Sequence, residues 1–117
     1  MAQAKLAEKK KEYRSAEDHL QRAIEAAPQQ IGRLIDLARF LASQGRYQEA
    51  ERSFARAESM APGSAQLLYA RADTYIKYGK NMELAKELLK RYLNLKLTVD
   101  DPPRWDAEKL LRQVQGS

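Results

Sequence analysis

No cysteine occurs anywhere in this 117-residue chain, which removes a disulfide framework, a thiolate zinc site and a cysteine nucleophile together. Histidine is nearly as scarce. The single one, His19, falls on the polar side of a helical pattern and reads as a surface residue rather than a general base. A metal site would have to be built from carboxylates, and the adjacent aspartates Asp100-Asp101 are the pair to weigh; a helix-capping role for Asp101 accounts for them. Neither a glycine-rich phosphate loop nor a serine elbow is present. The expectation is a protein that is no enzyme and takes no cofactor and no metal.

Proline and glycine are few, four and five, and most stand between apolar-periodic runs rather than inside them, so the chain reads as all-α. With 44% apolar and 32% charged residues, the profile is that of a folded single domain with a core to bury. Long apolar runs are missing too. Nothing approaches the ~18–20 residues of a membrane span, and the N-terminal MAQAKLAEKKK has no signal-peptide core. The expected compartment is the cytoplasm if the protein begins where this chain does. Otherwise the chain is an excerpt of a longer array, with Gly116-Ser117 a cloning remnant.

What the chain has in quantity is charge, with a net +5. The signs are interspersed. Residues 1–60 carry 11 basic and 9 acidic side chains, and residues 61–117 carry 10 and 7. Apart from Lys9-Lys10-Lys11 no basic block occurs, which is the pattern of solvated helix faces rather than of a phosphate footprint.

The chain also repeats itself. Placed beneath Tyr47–Pro62, the stretch Tyr13–Pro28 matches it at 7 of 16 positions with an offset of 34. Tyr, Ala, Glu, Arg, Ala, Ala and Pro recur at 13/47, 16/50, 17/51, 22/56, 23/57, 27/61 and 28/62. The same offset lays Ile31–Gly45 on Ala65–Gly79, aligning Leu34/Leu68, Ala38/Ala72 and Gly45/Gly79. Beyond Gly79 the register slips by one residue. A fixed period in the range of about 20–50 residues is the signature of stacked helical units.

Residues 1–12 are expected to form a helix ending in a charged turn at Lys9–Glu12, and Tyr13–Ala27 a second helix stopped by Pro28. Ser64 is expected to cap one helix. Asn81 is expected to cap the helix that runs to about Leu95. A loop follows over 96–101, and Asp101 with Pro102 at the first helical position opens a last helix over 102–115. That helix carries Ala107, Leu110, Leu111 and Val114 on one stripe. Trp105 lies opposite the stripe and is expected to fold back over Pro102 and Pro103.

The stretch Ile31–Pro62 resembles a tetratricopeptide repeat through Leu34, Leu37, Ala38, Leu41, Gly45, Tyr47, Ala50, Phe54, Ala57 and Pro62. Leu34 stands where the family often has Trp, and Ala38 where it often has Gly. Residues 1–28 look like a partial copy. Residues 65–95 look like a divergent one, with Arg71 where leucine is usual. The resemblance implies a right-handed α-solenoid of antiparallel helix pairs, about two and a half repeats closed by a capping helix. Ala38, Ala50 and Ala57 would let helices cross closely, and Leu37, Leu41 and Phe54 would fill the space between hairpins.

The resemblance also implies the work. Leading helices of the family line a concave groove that receives a protein or peptide segment. Here that groove maps to Ile35, Asp36, Arg39 and Ser43, then Gln66, Tyr69, Ala70, Asp73 and Lys77, with Lys5 and Lys9 at the incomplete end. Ile35 and Tyr69 are read equally as groove anchors or as packing between leading helices. The Lys, Arg and Asn clamp by which some members grip acidic chaperone tails is absent, since Ile35, Asp36, Gln66 and Ala70 stand there. The N-terminal face has no cover and is expected to associate with another chain. Two other functions compete: a purely structural or designed stacking module, and nucleic-acid binding through Lys5, Lys9, Arg39 and Lys77, which Asp36 and Asp73 interrupt.

Overall fold

A computed structural model describes residues 2–27 and 30–115, with side chains from Lys10 onward. Pro28, expected to stop the first unit, and the Gly116-Ser117 end lie outside the described residues. Six helices follow one another: α1 (Ala2–Ala26), α2 (Ile31–Ser43), α3 (Tyr47–Met60), α4 (Ala65–Tyr78), α5 (Met82–Leu93) and α6 (Arg104–Gln115). No strand occurs among the described residues, and no helix there is long and apolar enough to cross a membrane.

The charged turn expected at Lys9–Glu12 is not there. α1 runs unbroken for 25 residues, because lysine, glutamate and alanine are good helix formers and nothing in that stretch breaks a helix. At 1.5 Å per residue α1 is roughly 37 Å long and the 13-residue α2 roughly 20 Å, so α1 outruns its neighbour. Among the described helices it packs on α2. Ile24 is buried and Leu20 partly so, while residues 10–15 are exposed. Residues 2–12 therefore extend a trailing helix, the counterpart of α3, and are not half of a leading one.

α2 and α3 form the first full hairpin, α4 and α5 the second, and α6 closes the array against α5 and α4. Both hairpins turn in the same way. Gly45 (φ 77°) and Gly79 (φ 65°) take the left-handed conformation that glycine adopts without Cβ strain. The amide of Arg46 donates to Leu41 O at 2.9 Å and that of Lys80 to Tyr75 O at 2.8 Å, closing the helix ends. The one-residue slip has a visible cause. Asn81 is an extra residue held at φ 47°, ψ 47°, and asparagine is among the few non-glycine residues that enter this region readily. Asn81 occupies the cap position as expected but makes no side-chain cap. Ser64 does cap α4, accepting from the Leu67 amide at 3.5 Å.

Two core clusters run through the array. The first holds Ile24, Leu34, Leu37, Leu41, Phe54 and Leu67 with the small residues Ala38, Ala50 and Ala57. The second holds Leu68, Ala72, Tyr75, Ala85, Leu88, Leu89, Tyr92 and Ala107. α4 contributes to both, Leu67 and Ala70 on one side, Leu68, Ala72 and Tyr75 on the other. The unusual Arg71 belongs to a paired change. An offset of 34 sets Leu37 and Leu41 on Arg71 and Tyr75. The Arg71 Nε donates to Tyr75 Oη at 2.8 Å and its Nη2 to Glu51 Oε2 at 3.3 Å, while its guanidinium lies 6.0 Å from the Phe54 ring. Two leucines are replaced by a bonded cation and phenol that still cover the aromatic core.

The last helix starts two residues later than expected. Pro103 forces Pro102 out of the helical region, so the Pro103 carbonyl accepts the first helical bond, from the Asp106 amide at 3.0 Å. Asp101 instead closes its own loop, accepting from the Thr98 amide at 2.9 Å and hydroxyl at 3.1 Å. The loop is pinned from inside. Tyr92 Oη donates to Pro102 O at 2.6 Å, and Arg104 donates to the carbonyls of Leu93 and Leu95 at 2.5 and 2.9 Å. The expected stripe faces inward, with Ala107 and Val114 buried and Leu110 and Leu111 partly so.

Trp105 does not fold back. It is 63% exposed, and Pro102 is engaged by the Tyr92 hydroxyl instead. Its fluorescence should peak close to free indole in water, quench readily with acrylamide, and shift little on unfolding. A blue-shifted emission that moves red in urea would contradict this exposure.

Candidate functional site

The leading helices α2 and α4 lie side by side and in contact, and the loop before α6 returns over their shared face. Between them is a hollow of about 480 Å³. Its floor is apolar: Ile35, Ala70, Tyr69 and Pro102. Its rim is charged and polar: Asp36, Arg39 and Gln66 from the helices, Asp100 and Asp101 from the loop. A second hollow of about 240 Å³ continues along the same pair of helices, lined by Arg39, Phe40, Ser43, Asp73, Thr74, Lys77 and Tyr78. Arg39 is common to both, and together they run along the shared face of α2 and α4, called the groove below.

Every expected groove residue from Ile35 to Lys77 lines one of these two hollows. The repeat explains this, since Ile35/Tyr69, Asp36/Ala70, Arg39/Asp73 and Ser43/Lys77 are equivalent at the 34-residue offset. Lys5 and Lys9 stand on α1, a trailing helix, and their side chains lie outside the described residues. The choice between anchor and packing falls differently for the two apolar candidates. Ile35 is buried at 3% exposure with Ala70 at 2%, and both belong to the first core cluster. Tyr69 is half-buried, its ring 5.4 Å from that of Tyr92 at a tilt of 54°, with one side on the groove. Burial is the main cause that raises the Tyr69 hydroxyl above the ordinary tyrosine pKa; Asp73 and Asp106 add to it, and Arg39 opposes.

Sequence reasoning missed Phe40, Thr74 and Tyr78, although Phe40 and Thr74 are themselves an offset pair adjoining Arg39 and Asp73. It also missed the loop wall of Asp100, Asp101 and Pro102. The only signal there was negative: the repeat's closing proline fails to arrive at Leu97 and the chain runs on.

The charges of this groove are free of ion pairs among the described residues. Four ion pairs occur among the described residues: Arg46 with Glu17 at 2.6 Å, Arg46 with Glu49, Arg71 with Glu51 at 3.3 Å, and Lys86 with Glu83 at 3.2 Å. None involves Asp36, Arg39, Asp73, Lys77, Asp100 or Asp101. The Lys77 ammonium lies 5.6 Å from the centre of the Tyr78 ring. The Arg46 guanidinium, in contrast, is held above its ordinary pKa by hydrogen bonds to Glu49 and Glu17, and it ties α1 to the α2–α3 turn.

A smaller hollow of about 100 Å³ opens between α3 and α4, lined by the rings of Tyr47, Phe54, Tyr75 and Tyr78. Those rings already face the chain's own cations, Lys80 over Tyr47 at 4.8 Å and Arg71 over Tyr75 at 5.7 Å. It reads as a packing seam between hairpins. Among the described residues no group of three or more His, Asp or Glu side chains is placed to hold a metal ion.

A family model for the tetratricopeptide repeat matches residues 7–57 and 41–107. No curated protein matches the chain. The overlapping matches take in α1 to the start of α6, the same span over which the helices pair, turn at glycine and share two cores. The chain therefore belongs to the tetratricopeptide repeat family, whose repeats generally mediate protein–protein interaction.

Proposed function

We propose that this chain is a non-catalytic interaction module that receives a segment of a protein partner along the groove between α2 and α4. One observation carries the reading: an apolar floor lies beneath a rim of charges that have no ion-pair partner among the described residues. Unpaired charges beside partly exposed apolar surface are what a partner's backbone and side chains can engage, the apolar part supplying affinity and the charges register.

Nucleic acid fits this groove poorly. Arg39 and Lys77 are flanked by Asp36, Asp73, Asp100 and Asp101, and a phosphate backbone meeting four carboxylates is repelled.

The test starts from peptides selected against the whole chain out of an unbiased random library. Amide shifts on titration should concentrate at Ile35–Ser43, Gln66–Lys77 and residues 100–102. Arg39→Ala and Gln66→Ala, both at exposed positions, should weaken binding with little change in thermal stability. Shifts confined to the outer faces of α3 and α5, or affinities untouched by both substitutions, would reject the groove.

A further inference from the structure

The groove inverts the sign of the chain. The protein as a whole carries 21 basic against 16 acidic residues, yet the larger hollow is rimmed by Asp36, Asp100 and Asp101 against the single cation Arg39. Asp36 and Asp100 are exposed and make no hydrogen bond or ion pair among the described residues. Asp101 is held in place by Thr98, which fixes the position of its carboxylate.

The shape of the hollow matters as much as its charge. Its floor of Ile35, Ala70, Pro102 and the Tyr69 ring is apolar, and the carboxylates sit above it. An occupant that fits both levels has an apolar stem and a cationic head. Arginine and lysine side chains are built that way, and they commonly lay their methylene stems on apolar surface while the head reaches a polar rim. The face of Tyr69 adds attraction for a cation in the same place.

Resting on the groove reading above, we propose that the hollow between α2, α4 and the pre-α6 loop is a receptor for one arginine or lysine side chain of the partner segment. Its head would sit between Asp36 and the Asp100–Asp101 pair, and its stem on Tyr69 and Pro102, the partly exposed apolar residues of the hollow. The acidic wall is supplied by the loop that replaces the repeat's ordinary ending, so it is a feature of this chain rather than of the repeat pattern.

The peptides selected from the random library supply the probe. Those whose shifts map to the groove should share an arginine or lysine at one fixed position. Replacing it with citrulline or norleucine should lower affinity about tenfold, and so should the double variant Asp36→Asn/Asp100→Asn. Combining the two changes should add little further loss, because both remove one contact. The affinity should also fall as salt is raised. Groove-bound peptides with no shared cation, or a cation whose replacement leaves affinity unchanged, overturn this inference and leave the groove reading standing. Recovery of no peptide, or of peptides that bind elsewhere, overturns the groove reading itself.

Discussion

Replacing Phe54 with alanine should lower the free energy of unfolding by about 3–5 kcal/mol, read from urea denaturation. The ring has no exposed surface. It meets Tyr75 edge-on at 6.2 Å between centroids, and the Arg71 guanidinium covers it from the next hairpin. Alanine would remove the packing of α3 against α4, where the first hairpin hands over to the second. It would also strip the Arg71–Tyr75 pair of the surface it covers. Folded domains have only about 5–15 kcal/mol in hand, so this one change would bring the array close to unfolding at physiological temperature. Phe54→Leu keeps most of the apolar volume and should cost about 1.5 kcal/mol or less. A Phe54→Ala variant no less stable than Phe54→Leu would show that the hairpins are not joined through this ring.

The protein should also lose stability in strong alkali, through Tyr75. Burial is the first cause that raises the Tyr75 hydroxyl from an ordinary 10 to about 12, with the Glu51 carboxylate adding to it and Arg71 opposing. The folded state thus holds this proton more tightly than the unfolded chain does. The stabilisation is complete below pH 10 and is withdrawn as pH climbs to about 12. Over that window the loss amounts to about 2–3 kcal/mol from this group. Tyr69 and Tyr92 are raised as well, chiefly by burial, and act in the same sense. Lysines titrate in the same range, so the comparison that isolates Tyr75 is with Tyr75→Phe, whose urea midpoint should fall less steeply between pH 10 and 12. Parallel slopes for the two proteins would mean that folding does not withhold the phenol from ionisation.

The middle of the fold was legible in the sequence because the constraints there are local and steric. Glycine is the residue that takes a positive φ without strain, as at Gly45 and Gly79. Alanine must stand where helices cross closely, as at Ala38, Ala50 and Ala57, all buried. Those residue types recur at the period of the stack and cannot be exchanged freely, so they write the period into the chain.

The ends were harder to read for the opposite reason. Lys9–Glu12 looks like a turn because charge clusters in loops, yet nothing in lysine or glutamate opposes a helix, and α1 runs through it. Trp105 looks buried because large rings usually are. The loop before it is held by bonds from Tyr92, thirteen residues away, and from the adjacent Arg104, and Trp105 is left outside.

The groove was legible in part. Its helical walls follow from the repeat register, since Arg39 and Asp73 or Ser43 and Lys77 must share a face once the period is known. Whether Ile35 would be covered was not readable, because that depends on how closely α4 approaches α2. The loop wall was not readable at all. No periodicity governs residues 96–103, and the bonds from Tyr92, Arg104 and Thr98, with the packing of Leu95 and Leu97, place the loop that carries Asp100 and Asp101.

One extra residue at Asn81 has a further consequence. Inserted within a helix, a single residue would rotate everything after it by about 100° and turn the apolar stripe away from its neighbour. Placed in the turn at φ 47°, it leaves the angular phase of α5 intact, and Ala85, Leu88, Leu89 and Tyr92 still point inward. The turn works as an expansion joint. The 34-residue period is thus a sum of two rigid helices and an adjustable connection, and such an array can gain or lose residues at its corners without losing the alignment of its faces.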